Sequence, residues 1–275
     1  MSYARESANH DARLTKLIQG RDSVQWSFPN RCGLCNFTNA STSKPRGVMA
    51  ISHLTLRQAV VDGANFLIRA GAISMSHHGN FSVRVPNSDT ILLTATSSFD
   101  NLKPENLALL DLEGRLLEGE INPTSAEIVH MHAVVYKQRP ETGAVVHTHS
   151  TFATSFALAS RSIGCSYEAL VRADMTDGVP LAHYGPRGSG ASIENIATAL
   201  SSAKKTKAVL LENHGVLAFG ADPATAARAN LIVEEAAQMA IYAEVLGGAK
   251  LIPAEMLQAT VGRRDEFART GTQRA

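Results

Sequence analysis

Two histidines one residue apart close an apolar run, Ala144-Val-Val-His147-Thr-His149. On a strand, residues i and i+2 project from the same face, so the two imidazoles point together and offer half of a tetrahedral metal site. The alternative is a solvent-facing pair on an edge strand. The Ala-Val-Val run argues against it by placing the pair at the buried end of a core strand, where neutral imidazoles need hydrogen bonds or a metal. A third ligand is available in Leu211-Glu-Asn-His214-Gly215, directly after an apolar stretch and before a glycine that permits a sharp turn. Its alternative is a loop histidine capping a turn. His77-His78 and His130/His132 are rival pairs, but adjacent residues diverge on any regular element, and i, i+2 residues diverge on a helix. Three neutral imidazoles with one open position describe a catalytic zinc site that acts as a Lewis acid on a carbonyl.

Glu127, in Asn122-Pro-Thr-Ser-Ala-Glu127, is the acid/base candidate, near a helix start whose amide groups can bind an anion. Taken alone it reads as a routine glutamate favouring a helix N-terminus. Gly185-Pro-Arg187-Gly188-Ser-Gly190 is glycine-rich, yet it lacks the lysine and the strand–loop–helix setting of a nucleotide site. It reads as a loop before a helix, with Arg187 able to reach an anionic group. Cys32-Gly-Leu-Cys35 has zinc-knuckle or redox spacing, but no second such pair completes it. Cys165 reads as a small apolar residue.

The elements that must position these residues follow from periodicity. Leu54–Ala70 has helical spacing with Ser52 as a cap. Strands are expected at 81–86, at 90–96, and as a hairpin over 107–119 turning at Glu113-Gly114. Ser125–Arg139 reads as one helix stopped by Pro140, Gly143–His149 as a strand, and Thr151–Ala159 as a helix. Glu194–Ser202 reads as helix, Ala208–Glu212 and Val216–Phe219 as paired strands, and Pro223–Leu246 as a long helix ended by two glycines. This order predicts a single α/β domain with a central, mainly antiparallel sheet flanked by helices, since regular βαβ alternation is missing. Residues 1–50 are polar and aperiodic and read as an extension, 51–250 as the domain, and 251–275 as a C-terminal tail.

The chain has 275 residues, near the upper limit of what one core serves, and 44% are apolar, which suits a soluble enzyme. A net charge of +1 makes nucleic acid and anionic membranes poor partners. The apolar runs fall far short of a membrane span. The first residues lack the apolar core of a secretory signal, and three cysteines suit a reducing compartment, so a cytoplasmic location is expected.

Taken in order, several blocks resemble the class II aldolase/adducin family, specifically the L-fuculose-phosphate aldolase type. These are Gly79-Asn80-Phe-Ser-Val-Arg84, Leu92-Leu-Thr-Ala-Thr96-Ser97, Asn122-Pro-Thr124-Ser125-Ala-Glu127, Arg139-Pro140 with Ala144–His149, and Asn213-His214-Gly215. The likeness covers roughly residues 54–247. It implies zinc, or another divalent cation, on His147, His149 and His214, with Glu127 as acid/base. It implies a phosphate pocket of Asn80, Thr96, Ser97, Thr124 and Ser125, and a homotetramer with active sites between subunits. A tyrosine supplied across that interface protonates the product in such enzymes, and Tyr167 is the nearest candidate. Three departures stand out: Ser97 where relatives carry glycine, Ala95 in place of proline, and one extra residue between Glu127 and His132 that predicts a bulge. The implied activity is retro-aldol cleavage of a ketose or ketose phosphate through an enediolate, in carbohydrate (pentose) catabolism. A 3-oxo-acid decarboxylase is the alternative, followed by a pentulose-phosphate 4-epimerase or dehydratase. An adducin-like module without catalysis is disfavoured by the full ligand set.

Overall fold

The computed structural model describes residues 53–271, and everything below concerns those residues. The polar segment 1–50 with its Cys32/Cys35 pair, and Ser52, lie outside the described residues. An eight-stranded sheet forms the middle layer, ordered β4-β3-β2-β1-β5-β8-β7-β6. Its strands are β1 (Gly79–Arg84), β2 (Thr90–Thr94), β3 (Leu107–Asp111), β4 (Leu116–Glu118), β5 (Ala144–Thr148), β6 (Leu181–Ala182), β7 (Ala208–Leu211) and β8 (Gly215–Gly220). Every neighbouring pair is antiparallel except β6 with β7, as the sequence led one to expect.

Eight α-helices accompany the sheet among the described residues: α1 (Leu54–Arg69), α2 (Pro123–Ala126), α3 (Val129–Gln138), α4 (Thr151–Leu158), α5 (Glu168–Arg172), α6 (Gly190–Ser202), α7 (Pro223–Val245) and α8 (Ala254–Gly271). Strand alternation divides the core into two. Val146, Leu210, Val216 and Ala218 face one apolar cluster with residues of α1, α4, α5 and α7. Val145, Val209, Leu217 and Phe219 face the other, with α3 and α6. Strand β5 lies between β1 and β8, and all five of its residues are buried. Its Val-Val run therefore fills both layers and carries the His147 end into the interior.

Helix α7 is built to start where it does. The Asp222 carboxylate accepts from the Thr225 amide at 2.8 Å, the Thr225 hydroxyl oxygen accepts from the Asp222 amide at 3.0 Å, and Pro223 occupies the first turn. Further along, α7 grips the end of β5. Thr148 donates through its hydroxyl to Asn230 Oδ1 at 2.7 Å, and Asn230 Nδ2 donates to the carbonyl of Ala72 and to Ser150 Oγ, both at 3.0 Å. Four residues on, the Glu234 carboxylate accepts from the Phe152 and Ala153 amides at 2.9 and 2.8 Å, capping α4. Thus the corner from His147 through α4 is held by groups some 80 positions away.

The differences from the sequence reading are local. The expected helix over 125–139 is broken: α2 ends at Ala126, Glu127-Ile128 form a turn, and α3 starts at Val129. Helix α1 is capped by His53 in a left-handed conformation, with no side-chain cap bond. Helix α6 begins at Gly190 behind a Ser189 cap, four residues earlier than expected. Elements α5 and β6 had no periodic signal. The segment read as a C-terminal tail contains helix α8, which packs against α5.

Candidate metal centre

Strand β5 delivers His147 and, one step past its end, His149. The tight turn from β7 into β8 delivers His214, and that turn needs Asn213 at φ 58°, a left-handed conformation asparagine tolerates. One donor nitrogen from each ring lies within 4.8 Å of the others. Ring centroids are 4.6 Å apart for His147–His214, 5.1 Å for His147–His149 and 5.2 Å for His149–His214. Gly215 makes this approach possible: a Cβ there would stand 2.5 Å from the Thr148 carbonyl oxygen and 3.0 Å from Cδ2 of His149. Gly215→Ala is therefore expected to push β8 and the imidazoles apart, weakening divalent-metal affinity by about tenfold or more, on the scale of lost ligand support. Isothermal titration with zinc measures it, and an unchanged affinity would show that the turn yields freely.

The protonation pattern suits a cation. His147 Nδ1 donates to the Val216 carbonyl at 3.0 Å, which fixes the tautomer and leaves Nε2 with its lone pair toward the cluster. His149 Nε2 is buried with no hydrogen-bond partner among the described residues, an orphan that a metal ion would satisfy. Burial, followed by the neighbouring imidazoles, holds His147 well below the ordinary histidine value. Burial, then His214, His78 and Arg187, lowers His149 to about 4, and burial, then Arg187 and His78, lowers His214 to about 4. The residues present therefore fit a divalent cation: three neutral nitrogen donors, one of them unpartnered.

The sign of the pH response follows. In the unfolded chain histidine titrates near 6.5. Between that value and about 4 the unfolded state binds more protons than the folded state, so stability present above pH 6.5 is lost as pH falls toward 4. Chelator-treated protein is expected to melt at a lower temperature at pH 5 than at pH 7.5, and His149→Asn with His214→Asn to shrink that difference. An unchanged difference in the variant would place the acid sensitivity elsewhere.

A fourth imidazole adjoins the cluster: the His78 ring lies 4.8 Å from His149. Its pKa is lowered by burial first and by Arg187 second. The sequence reading set His78 aside with His77, since adjacent side chains diverge. They do: His77, at φ 47°, turns to Asp100 at 2.6 Å, and His78 turns to the site.

Glu127 lies at the break between α2 and α3, roughly half exposed, and is not among the side chains whose donor atoms converge. The Oε2 atom of Glu127 accepts from Arg187 Nε at 3.1 Å and Nη2 at 2.9 Å.

The hydroxyl-rich residues do assemble. Ser97 Oγ is 3.3 Å from Ser125 Oγ and 3.5 Å from Thr124 Oγ1, while Asn122 Oδ1 accepts from the Thr124 amide and hydroxyl at 3.0 and 2.9 Å. Ser97 is not among the positive-φ residues, so a side chain sits there without backbone strain. Thr96 donates within its own loop, to Ser98 O at 3.1 Å. Asn80 pairs directly with His147 across β1 and β5, and its Oδ1 is buried without a partner among the described residues. Tyr167 stands apart. It is the N-terminal residue before α5, its ring packs against the larger core cluster, and no described hydrogen bond or ring contact joins it to the histidines.

Comparison with known proteins agrees with this architecture. The family model described as Class II Aldolase and Adducin N-terminal domain matches residues 58–241. A 5-methylthioribulose-1-phosphate/5-deoxyribulose-1-phosphate aldolase of Rhodospirillum rubrum is 28% identical over 208 residues, 75% of this chain and 90% of its own. A 3-oxo-tetronate 4-phosphate decarboxylase of Haemophilus influenzae is 34% identical over 168 residues, 58% of this chain and 75% of its own. Among solved structures, an L-fuculose 1-phosphate aldolase superposes with a TM-score of 0.68 at 25% identity, over 76% of this chain and 95% of that one.

Proposed function

We propose that this chain, which belongs to the class II aldolase/adducin family, is a divalent-metal lyase that cleaves a ketose or ketose phosphate by retro-aldol chemistry. The observation that carries the reading is the convergence of His147, His149 and His214 with their donors within 4.8 Å. His147, His149 and His214 would hold the zinc ion, which would supply Lewis-acid polarisation of the substrate carbonyl. The protein's own residues do the rest. Glu127 takes the proton of the hydroxyl on the carbon that departs as the carbonyl fragment and, once the carbon–carbon bond has broken, returns it to the carbon left beside the ketone. Hydroxyls of Thr96, Ser97, Thr124 and Ser125, with the Asn80 amide, hold the phosphate or hydroxyl end and fix which carbon faces Glu127. His147 keeps its tautomer through the Val216 carbonyl, and the Thr148–Asn230 bond keeps the end of β5 from shifting.

Tyr167 is assigned the proton-donor role toward the site of a neighbouring subunit in a homotetramer. A cytoplasmic location and a role in sugar catabolism complete the proposal. The relatives' printed names include aldolases, a decarboxylase and a probable epimerase, so the chemistry class is supported more strongly than the substrate. Decarboxylation of a 3-oxo acid is the second reading, favoured by the Arg187 guanidinium against Glu127 and by the Haemophilus relative.

The test is metal analysis of the native chain followed by assays with ketose phosphates, pentuloses and 3-oxo acids. About one divalent ion per chain is expected, with carbon–carbon cleavage of one of these classes. Failure to bind any divalent ion after zinc is supplied would remove the lyase reading and leave an adducin-like module.

A further inference from the structure

Arg187 is unusual in its placement. Its guanidinium stands at the break between α2 and α3, against the residue read as the acid/base. Its carrier loop is seated firmly. At Gly188, φ is 74° and a Cβ would lie 2.5 Å from the Glu127 carbonyl oxygen; at Gly185 a Cβ would lie 2.5 Å from the Ser192 amide. The loop is thus pressed between the end of α2 and the start of α6, and no larger residue fits at either contact. From there Arg187 reaches a carboxylate of its own chain, Glu127, using two nitrogens on the single oxygen Oε2. A guanidinium fork is shaped to engage both oxygens of a carboxylate, so this one-oxygen contact leaves that capacity half used.

We infer that Arg187 is the receptor for a carboxylate on the substrate, and that Glu127 occupies it as a stand-in until the substrate arrives. The inference rests on the metal-lyase reading and narrows its substrate class. The ligand carries a hydroxyketone for the metal centre and a carboxylate for Arg187, with the hydroxyl pocket around Ser97, Thr124 and Ser125 left for a third group. Exchange of one carboxylate for another on Arg187 leaves the charge of the pair balanced and releases Glu127 Oε2 to act as a base. The glutamate is thereby unmasked by the substrate that needs it.

The experiment uses the full chain loaded with zinc and two probes on one skeleton, 5-hydroxy-4-oxopentanoate and its methyl ester. Binding of both is measured by titration calorimetry, after metal content is checked. The wild type is expected to prefer the acid by about tenfold, the scale of one charge-assisted pair. Arg187→Gln is expected to erase that preference with the ester affinity and zinc content unchanged. Glu127→Gln is expected to raise the acid's affinity, because the internal competitor is gone. The gain should vanish in the double variant, which a general effect of removing one negative charge would not reproduce. Equal acid preference in wild type and Arg187→Gln would overturn the inference while leaving the metal reading intact. A wild type that takes up no zinc would instead overturn the metal reading, and the inference with it.

Discussion

The double variant His147→Ala/His149→Ala is expected to be folded and free of metal, with lyase activity reduced by at least about 10³-fold. The magnitude follows from losing Lewis-acid stabilisation worth several kcal/mol, at 1.36 kcal/mol per tenfold in rate. His147 is 2% exposed, and its ring sits where β1, β5 and β8 meet, so alanine also leaves a small void. The Thr148, Ser150 and Asn230 bonds to the same corner do not involve either ring, which is why the strand end is expected to keep its place. Metal content by mass spectrometry, beside circular dichroism, separates the outcomes. A folded double variant that still holds one ion per chain would show that the ligand set has been misassigned.

Glu127→Gln is expected to do the opposite: full metal content, and a fall in turnover of about 10² to 10⁴, the range for removing a positioned acid/base. The reasoning is geometric. The Glu127 carboxylate lies outside the converging donors, so the change does not touch the ligands, and glutamine preserves its shape at the α2–α3 turn. The sensitive assay is proton exchange on a dihydroxyacetone-type product, followed by deuterium incorporation in NMR. Undiminished exchange in the variant would transfer the base role to another group, with His78, whose ring lies 4.8 Å from that of His149, the first to test.

Much of this arrangement could be read in the chain before its structure. The strand over 143–149 was legible because a β-branched run buried on both faces has no competing helical period, and the i, i+2 pair of histidines depends on nothing else. His214 was legible because an apolar strand and a glycine bracket it. The break at Glu127-Ile128 left no mark in the periodicity, although the family resemblance pointed to a bulge between Glu127 and His132. No proline or glycine marks it, and the apolar spacing of 125–139 runs straight through. The neighbouring chain that presses there, Gly188 against the Glu127 carbonyl, comes from some 60 residues further on. His78 was missed for a related reason. A rule about adjacent residues excluded the pair as chelators but not one member alone, and the left-handed turn at His77 separates them. Elements α5 and β6 have five and two residues, too few for any period to register. Helix α8 carries a weakly apolar, strongly charged sequence whose helicity shows in its packing on α5 rather than in its pattern.

The clamp that α7 places on the end of β5 has a consequence for how the protein comes into being. His147 and His149 are synthesised long before His214, and the groups that fix their corner, Asn230 and Glu234, follow later still. A ribosome-bound chain that has emerged only through His149 can pair β5 with β1 but not yet with β8. The third ligand and both braces arrive with the last third of the molecule. Such non-local closure is the slow part of folding. On the proposed metal-lyase reading, metal capture would then be a late event, and tight retention of the ion would report that the carboxy-terminal third has docked. Truncation before Asn230 would forfeit the site even with every ligand still present in the chain.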